Sequence, residues 1–106
     1  MGNFKEIVKN AENKIGVYIV SLDNNIMYIG RAIEDRANQS TKGLRKRLQE
    51  HYRGANNAKE ELFLYRDEIN VEVIICNLAD KAKELEAKLI REHNTVQNGW
   101  NDKYEN

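Results

Sequence analysis

Apolar residues crowd into two short runs early in the chain, Ile15 to Leu22 and Ile26 to Arg31, split by Asp23-Asn24-Asn25. The runs are rich in β-branched side chains, and Asn and Asp tolerate left-handed backbone angles, so the pattern predicts an antiparallel hairpin. Ahead of it, Phe4, Ile7, Val8 and Ala11 recur at the helical period, and Asn3 stands three residues before Glu6. That combination predicts a short capped helix to about Asn13. Ala32 to Thr41 is polar and irregular, a loop by composition. Leu44, Leu48 and Tyr52 then mark a helix capped by Ser40 or Thr41 and ended by Gly54. Asn56 or Asn57 is placed to cap another helix through about Asp67; Val71 to Cys76 reads as a third strand, and Asp80 to His93 as a long helix. The expected fold class is α+β: one small three-stranded antiparallel sheet flanked by helices.

Several polar residues sit where this pattern calls for apolar ones. On the last long helix Ala82, Leu85, Leu89 and Ile90 form the inward stripe, and Glu86 falls inside it. A carboxylate there must be paired, protonated, metal-bound or at the rim of a cleft. A buried Glu–Arg ion pair and a metal site are equally open on this ground. Arg47 and His51, at i and i+4, border the Leu44–Leu48–Tyr52 stripe, which suits an anionic ligand, although a lone histidine in such a place is more often structural. Tyr18 and Tyr28 share the parity of neighbouring apolar hairpin positions, so they can face the same side; packing is the commoner use of strand tyrosines. Gly16 and Gly30, inside strands, often mark close approach of another group. Together these residues offer a hard oxygen ligand, a cation and ionisable hydroxyls, which is what phosphodiester hydrolysis needs. They lack a nucleophile with a neighbouring base, so acyl transfer is poorly supported.

Composition narrows the setting. At 106 residues the chain is the size of one domain. Cys76 is the only cysteine, which excludes an internal disulfide and suggests a reducing, cytoplasmic location. No apolar run approaches membrane-span length. Formal net charge is zero, but residues 1–53 hold ten Lys/Arg against six Asp/Glu and residues 54–106 hold seven against eleven. Lys42-Gly-Leu-Arg-Lys-Arg47 concentrates four cations in six residues, a patch able to meet phosphate, though such runs are usually solvated helix faces.

Gly16-Val-Tyr18 and Tyr28-Ile-Gly30 resemble the paired motifs of the GIY-YIG nucleases. Residues 43–51, Gly-Leu-Arg-Lys-Arg-Leu-Gln-Glu-His, are similar to that family's arginine helix, with Arg47 four residues before His51. Arg31 stands where many members carry a basic residue, and Leu85-Glu-Ala-Lys-Leu-Ile90 resembles the helix that carries the metal-binding glutamate. Gly99-Trp-Asn101 is similar to the Gly-aromatic-Asn that follows, with Thr95 also in pattern. The five motifs span about residues 15–101 in the family's order, with Ala32–Thr41 as an insertion relative to compact members.

The resemblance implies a GIY-YIG nuclease-like fold over residues 1–106 as a single catalytic domain without a separate DNA-binding domain. It implies a metal-dependent endonuclease, with catalytic Tyr18, Tyr28, Arg47, His51 and Glu86. Glu86 would hold Mg²⁺ or Mn²⁺, and the products would be a 5′-phosphate and a 3′-hydroxyl. Arg31, Lys42, Arg45, Lys46 and Asn101 are the expected substrate contacts. The expected partner is nucleic acid, DNA ahead of RNA, with no membrane. The alternative is a binding module that kept the fold without cutting; its mark would be loss of Glu86 or Arg47, and both are present.

Overall fold

The computed structural model describes residues 2–33, 43–55 and 57–103. In chain order the elements are β1 (Gly2–Asn3), α1 (Phe4–Asn10), β2 (Gly16–Leu22), β3 (Asn25–Ala32), α2 (Leu44–Arg53), α3 (Glu60–Leu64), β4 (Asn70–Ile75), α4 (Ala79–His93) and α5 (Thr95–Asn98). The sheet is antiparallel throughout, in the order β1-β4-β2-β3. It therefore has four strands, not the three expected. The added strand, β1, pairs only Gly2 with Val71 and Asn3 with Asn70, too short a segment to leave an alternating pattern.

Helices cover both faces of the sheet. Phe4, Tyr18, Val20, Leu44, Leu48, Leu62, Ile69 and Val71 form one core. Val17, Ile19, Ile29, Ala82 and Ile90 form the other, on the side of α4. Strand β2 lies between the two, so every residue from Gly16 to Ser21 is buried. That is why its sequence reads as a continuous apolar run rather than an alternation.

Local chemistry sets the ends of the elements. The Asn3 side chain accepts from the Glu6 N–H at 2.9 Å and opens α1, as the spacing predicts. Asp23 and Asn24 both take positive φ, 52° and 68°, in the two-residue turn of the hairpin. Gly54 closes α2 at φ 70° and Asn94 closes α4 at φ 51°. The start of α2 differs from expectation. Ser40 and Thr41 lie outside the described residues, and the helix begins after Gly43 with no side-chain cap there. It is tied down from a distance: the Lys14 carbonyl accepts from Leu44 N–H at 2.8 Å, and Asn13 Oδ1 accepts from Lys46 N–H at 3.0 Å. The helix expected through Asp67 shrinks to the five residues of α3. Its upstream amide at Lys59 is committed to a histidine instead.

Strand β3 ends the sheet, and an exposed edge strand needs covering. Gly99 to Asn101 covers it. Trp100 N–H donates to the Met27 carbonyl at 2.6 Å. Asn101 donates from Nδ2 to the Ile29 carbonyl and accepts on Oδ1 from the Ile29 N–H, both at 2.9 Å. The pairing of Val20 with Tyr28 and Ser21 with Ile26 leaves Met27 as the extra residue of a bulge. Gly99 sits against that bulge, where a Cβ would lie 2.2 Å from the Met27 carbonyl oxygen.

Candidate active site

Direct register places Tyr18 opposite Gly30 and Val20 opposite Tyr28. Cross-strand partners share a face, so both tyrosines point to the α2 side of the sheet. Their ring centroids are 6.2 Å apart. Gly30 makes room: a Cβ there would lie 2.2 Å from Tyr18 Cζ and 2.3 Å from Oη. The Tyr18 ring thus lies across β3 at the one position without a side chain.

His51, on α2, meets the end of that ring. Its Nε2 is 2.7 Å from Tyr18 Oη, and its Nδ1 accepts the Lys59 backbone N–H at 2.9 Å. An amide N–H has nothing to accept with, so Nδ1 must carry the lone pair. Burial, with Arg47 and Lys59 nearby, lowers the imidazole pKa from 6.5 to about 3. The neutral ring therefore holds its proton on Nε2 and donates it to Tyr18. A histidine held neutral by the fold binds fewer protons folded than unfolded between pH 3 and 6.5, so stability is full above that window and falls as pH drops through it. We expect the His51 contribution to fall by about 2 kcal/mol between pH 7 and pH 5. Urea unfolding at both pH values checks this: the parent's loss should exceed that of His51→Gln, and equal losses would count against a neutral buried His51.

Arg47 lies one helical turn before His51. Its Nη1 bonds Glu50 Oε1 at 3.0 Å and its Nη2 reaches the Asn57 carbonyl at 3.3 Å. Arg47 also hydrogen-bonds to Tyr18 and acts to lower the pKa of both tyrosines. Burial outweighs that pull. It holds the Tyr18 hydroxyl well above its ordinary pKa of 10 and raises that of Tyr28, with the Glu86 carboxylate pushing both the same way. Both are neutral phenols in this state.

Glu86 comes from α4, across the sheet, and is 1% exposed. It pairs with Arg31 Nη1 at 2.5 Å, an ion pair whose arginine side is 17% exposed. Among the described residues no group of three or more His, Cys, Asp or Glu side chains converges. A divalent ion here would thus have Glu86 as its main protein ligand, with other positions left to water. That donor set suits Mg²⁺, a hard cation that keeps several waters and takes one or two carboxylates. The residues present fit such an ion.

The structure thus brings Tyr18, Tyr28 and His51 into ring contact, with Arg47 one helical turn from His51, while Glu86, paired with Arg31, is near enough for its charge to act on both tyrosines. It does not bring Arg45 or Lys46 there: both line a groove on another face of α2. Lys42 lies outside the described residues. Asn101 is 6% exposed, and its amide is engaged at both ends by Ile29, so it holds β3 rather than reaching outward to a substrate. Two residues of the cluster have no counterpart in the sequence reading. Glu50 orients Arg47 and is 5% exposed; its i,i+3 spacing from Arg47 is the available signal. Lys59 fixes the His51 tautomer through its backbone, places Nζ 5.6 Å from the Tyr28 ring centroid, and pairs with Asp102 at 3.1 Å. A main-chain amide carries no residue-type signature.

Two phenols, a neutral imidazole, a guanidinium and a buried carboxylate, carried on a hairpin and two helices, are groups that phosphodiester hydrolysis can use. Residues 14–101 match the family model described as the GIY-YIG catalytic domain, and the chain belongs to that family of endonucleases. It is 29% identical over 92 residues to the UvrABC system protein C of Aquifex aeolicus, covering 87% of this chain and 15% of that protein. It therefore spans a small part of this curated relative. The GIY-YIG N-terminal endonuclease domain of UvrC from Thermotoga maritima, bound to magnesium as its catalytic divalent cation, superposes with a TM-score of 0.65 at 26% identity, over 86% of this chain and 90% of that one. A tyrosine-to-phenylalanine mutant of the same domain, also bound to its cation, gives 0.65 at 21% identity, a likeness of fold, over the same 86% and 90%.

Proposed function

We propose that the chain hydrolyses nucleic-acid phosphodiesters, DNA ahead of RNA, with one divalent ion, Mg²⁺ or Mn²⁺, at Glu86. The products are a 5′-phosphate and a 3′-hydroxyl. The observation that carries this reading is the contact of Tyr18 Oη with His51 Nε2 at 2.7 Å inside a cluster that also holds Arg47 and Glu86. When bound, the ion supplies Lewis-acid polarisation of the phosphate and charge against the departing 3′ oxygen.

The remaining work falls to the chain's own residues. Arg47, oriented by Glu50, offers planar donors to the phosphoryl oxygens as negative charge builds on them. Tyr18, as the phenolate left once its proton has passed to solvent, takes a proton from the in-line water; the water oxygen bonds phosphorus while the bond to the 3′ oxygen breaks, and that oxygen takes a proton from solvent to become the 3′-hydroxyl. Burial opposes that phenolate, and the charge of Arg47 favours it. His51 acts on the same side as Arg47, since its Nε2–H can donate to a phenolate oxygen. It is not placed to take the phenol's proton, because its basic nitrogen faces the Lys59 amide. Tyr28, beside Tyr18, orients water and phosphate.

Tyr18→Phe should lower cleavage about 10²-fold or more, the range for losing a general base. It also leaves the buried His51 Nε2–H without its acceptor, so we expect about 1–3 kcal/mol of lost stability. Rates and urea melts of the pair check both; a phenylalanine variant that cuts as fast as the parent would remove Tyr18 from the mechanism. The reading as a whole is tested with duplex, branched and single-stranded DNA and RNA oligonucleotides in Mg²⁺. Products from DNA that a ligase can reseal are expected, while cleavage of RNA alone, or ends that cannot be resealed, would contradict it.

A further inference from the structure

Away from the cluster, α1 and α2 enclose an open groove of about 640 Å³. Five cations line it: Lys5 and Lys9 from α1, and Arg45, Lys46 and Arg53 from α2. Among the described residues no carboxylate lines it. Its floor is Val8 and Tyr52, against which lysine and arginine stems can pack while their charged ends stay in water. This density is unusual for a chain whose formal net charge is zero. Solvated surface cations are ordinarily interleaved with acids.

The groove lies on the side of α2 opposite the catalytic cluster. At about 100° per residue, Arg45 and Arg47 are about 200° apart around the helix axis. Arg45, Gln49 and Arg53 follow one another at i, i+4 and i+8 along the groove, while Arg47 and His51 follow one another along the cluster. One helix thus shows cations on two faces about 10 Å apart, its own diameter. A phosphate held in the groove cannot be the one at Glu86 and Arg47.

We propose that this groove is a second nucleic-acid contact, which takes a run of backbone phosphates from duplex DNA flanking the cut. The contact is to the phosphates and carries no base readout, so it positions the duplex without choosing a sequence. This rests on the nuclease reading, because continuity with the cluster through α2 is what favours a DNA flank over an acidic protein.

The test is binding of the whole chain to a labelled duplex DNA in EDTA, measured across about 50–200 mM salt. The groove variant is Lys5→Gln, Lys9→Gln and Arg53→Gln, all at exposed positions. The control carries the same charge change on α4: Lys81→Gln, Lys83→Gln and Lys88→Gln, also exposed. Each lost phosphate contact removes about 0.9 from the slope of log K against log salt, so the groove variant should lose about 2.7 and bind about tenfold or more weaker. The control should stay near the parent. If the triple variant melts early, Lys9→Gln and Arg53→Gln singly should each lose about 0.9 in slope. Equal losses in groove and control variants, or an unchanged slope in the groove variant, overturn the proposal. So does a loss confined to duplex RNA. A parent that nicks DNA while the groove variant keeps its slope sinks the groove alone; a parent that neither nicks nor binds sinks the nuclease reading with it.

Discussion

Glu86→Gln should cut nucleic acid about 10²-fold or more slowly than the parent while remaining folded, since Lewis-acid stabilisation is worth several kcal/mol and each 1.36 kcal/mol is about tenfold in rate. Glutamine keeps the shape and one acceptor oxygen for Arg31 but loses the charge that would hold a divalent ion. A second reading of this residue is purely structural, because Glu86 is buried and paired with Arg31. The two readings separate cleanly. If the ion pair is all that matters, Arg31→Gln and Glu86→Gln lose similar stability and both keep their activity. If Glu86 holds the ion, its variant loses cleavage out of proportion to its melting shift. Removing one partner of a fully buried pair costs about 3–5 kcal/mol. The cost here should be smaller, because Arg31 keeps 17% of its side chain in solvent and the substituted amide would still accept a hydrogen bond from it. Single-turnover cleavage and thermal melts of the three proteins decide the matter.

Gly30→Ala is the second large effect, and it acts through geometry alone. The new methyl group would sit 2.2 Å from Tyr18 Cζ, and that ring is only 2% exposed with no room to swing aside. Overpacking of this kind costs about 1–3 kcal/mol. For a domain of this size each kcal/mol moves the melting temperature by about 4–8 °C. Any relief moves Tyr18 Oη away from His51 Nε2, and about 1 Å of misplacement at a reacting group can cost about 10²-fold in rate. A variant that melts and cuts like the parent would show that Tyr18 does not cross β3 at this glycine.

How far the sequence can be read follows from where each signal lives. The hairpin, α1 and α4 are legible because period, cap and turn chemistry are local. Asn3 bonds Glu6 N–H, Asp23 and Asn24 turn the hairpin, and Asn94 ends α4. The gathering of Tyr18, Tyr28, Arg47, His51 and Glu86 is foreshadowed by polar residues on apolar stripes. The features that escape depend on contacts remote in sequence. The start of α2 is set by Asn13 and Lys14, and the tautomer of His51 by the main chain of Lys59. The basic run from Lys42 to Arg47 reads as one patch. In the fold, Arg45 and Lys46 turn to the groove while Arg47 turns to the cluster, a division that helical angle implies but composition hides.

We propose that side chains from β2, β3, α2 and α4 act as one metal-dependent cutting site. Incubation of the parent with supercoiled plasmid, in Mg²⁺ and then in EDTA, tests it most directly. Nicked circles should accumulate with Mg²⁺, stop when EDTA is added, and resume when Mg²⁺ or Mn²⁺ is restored in excess. Plasmid that stays supercoiled under every condition, or nicking that proceeds equally in EDTA, would contradict it.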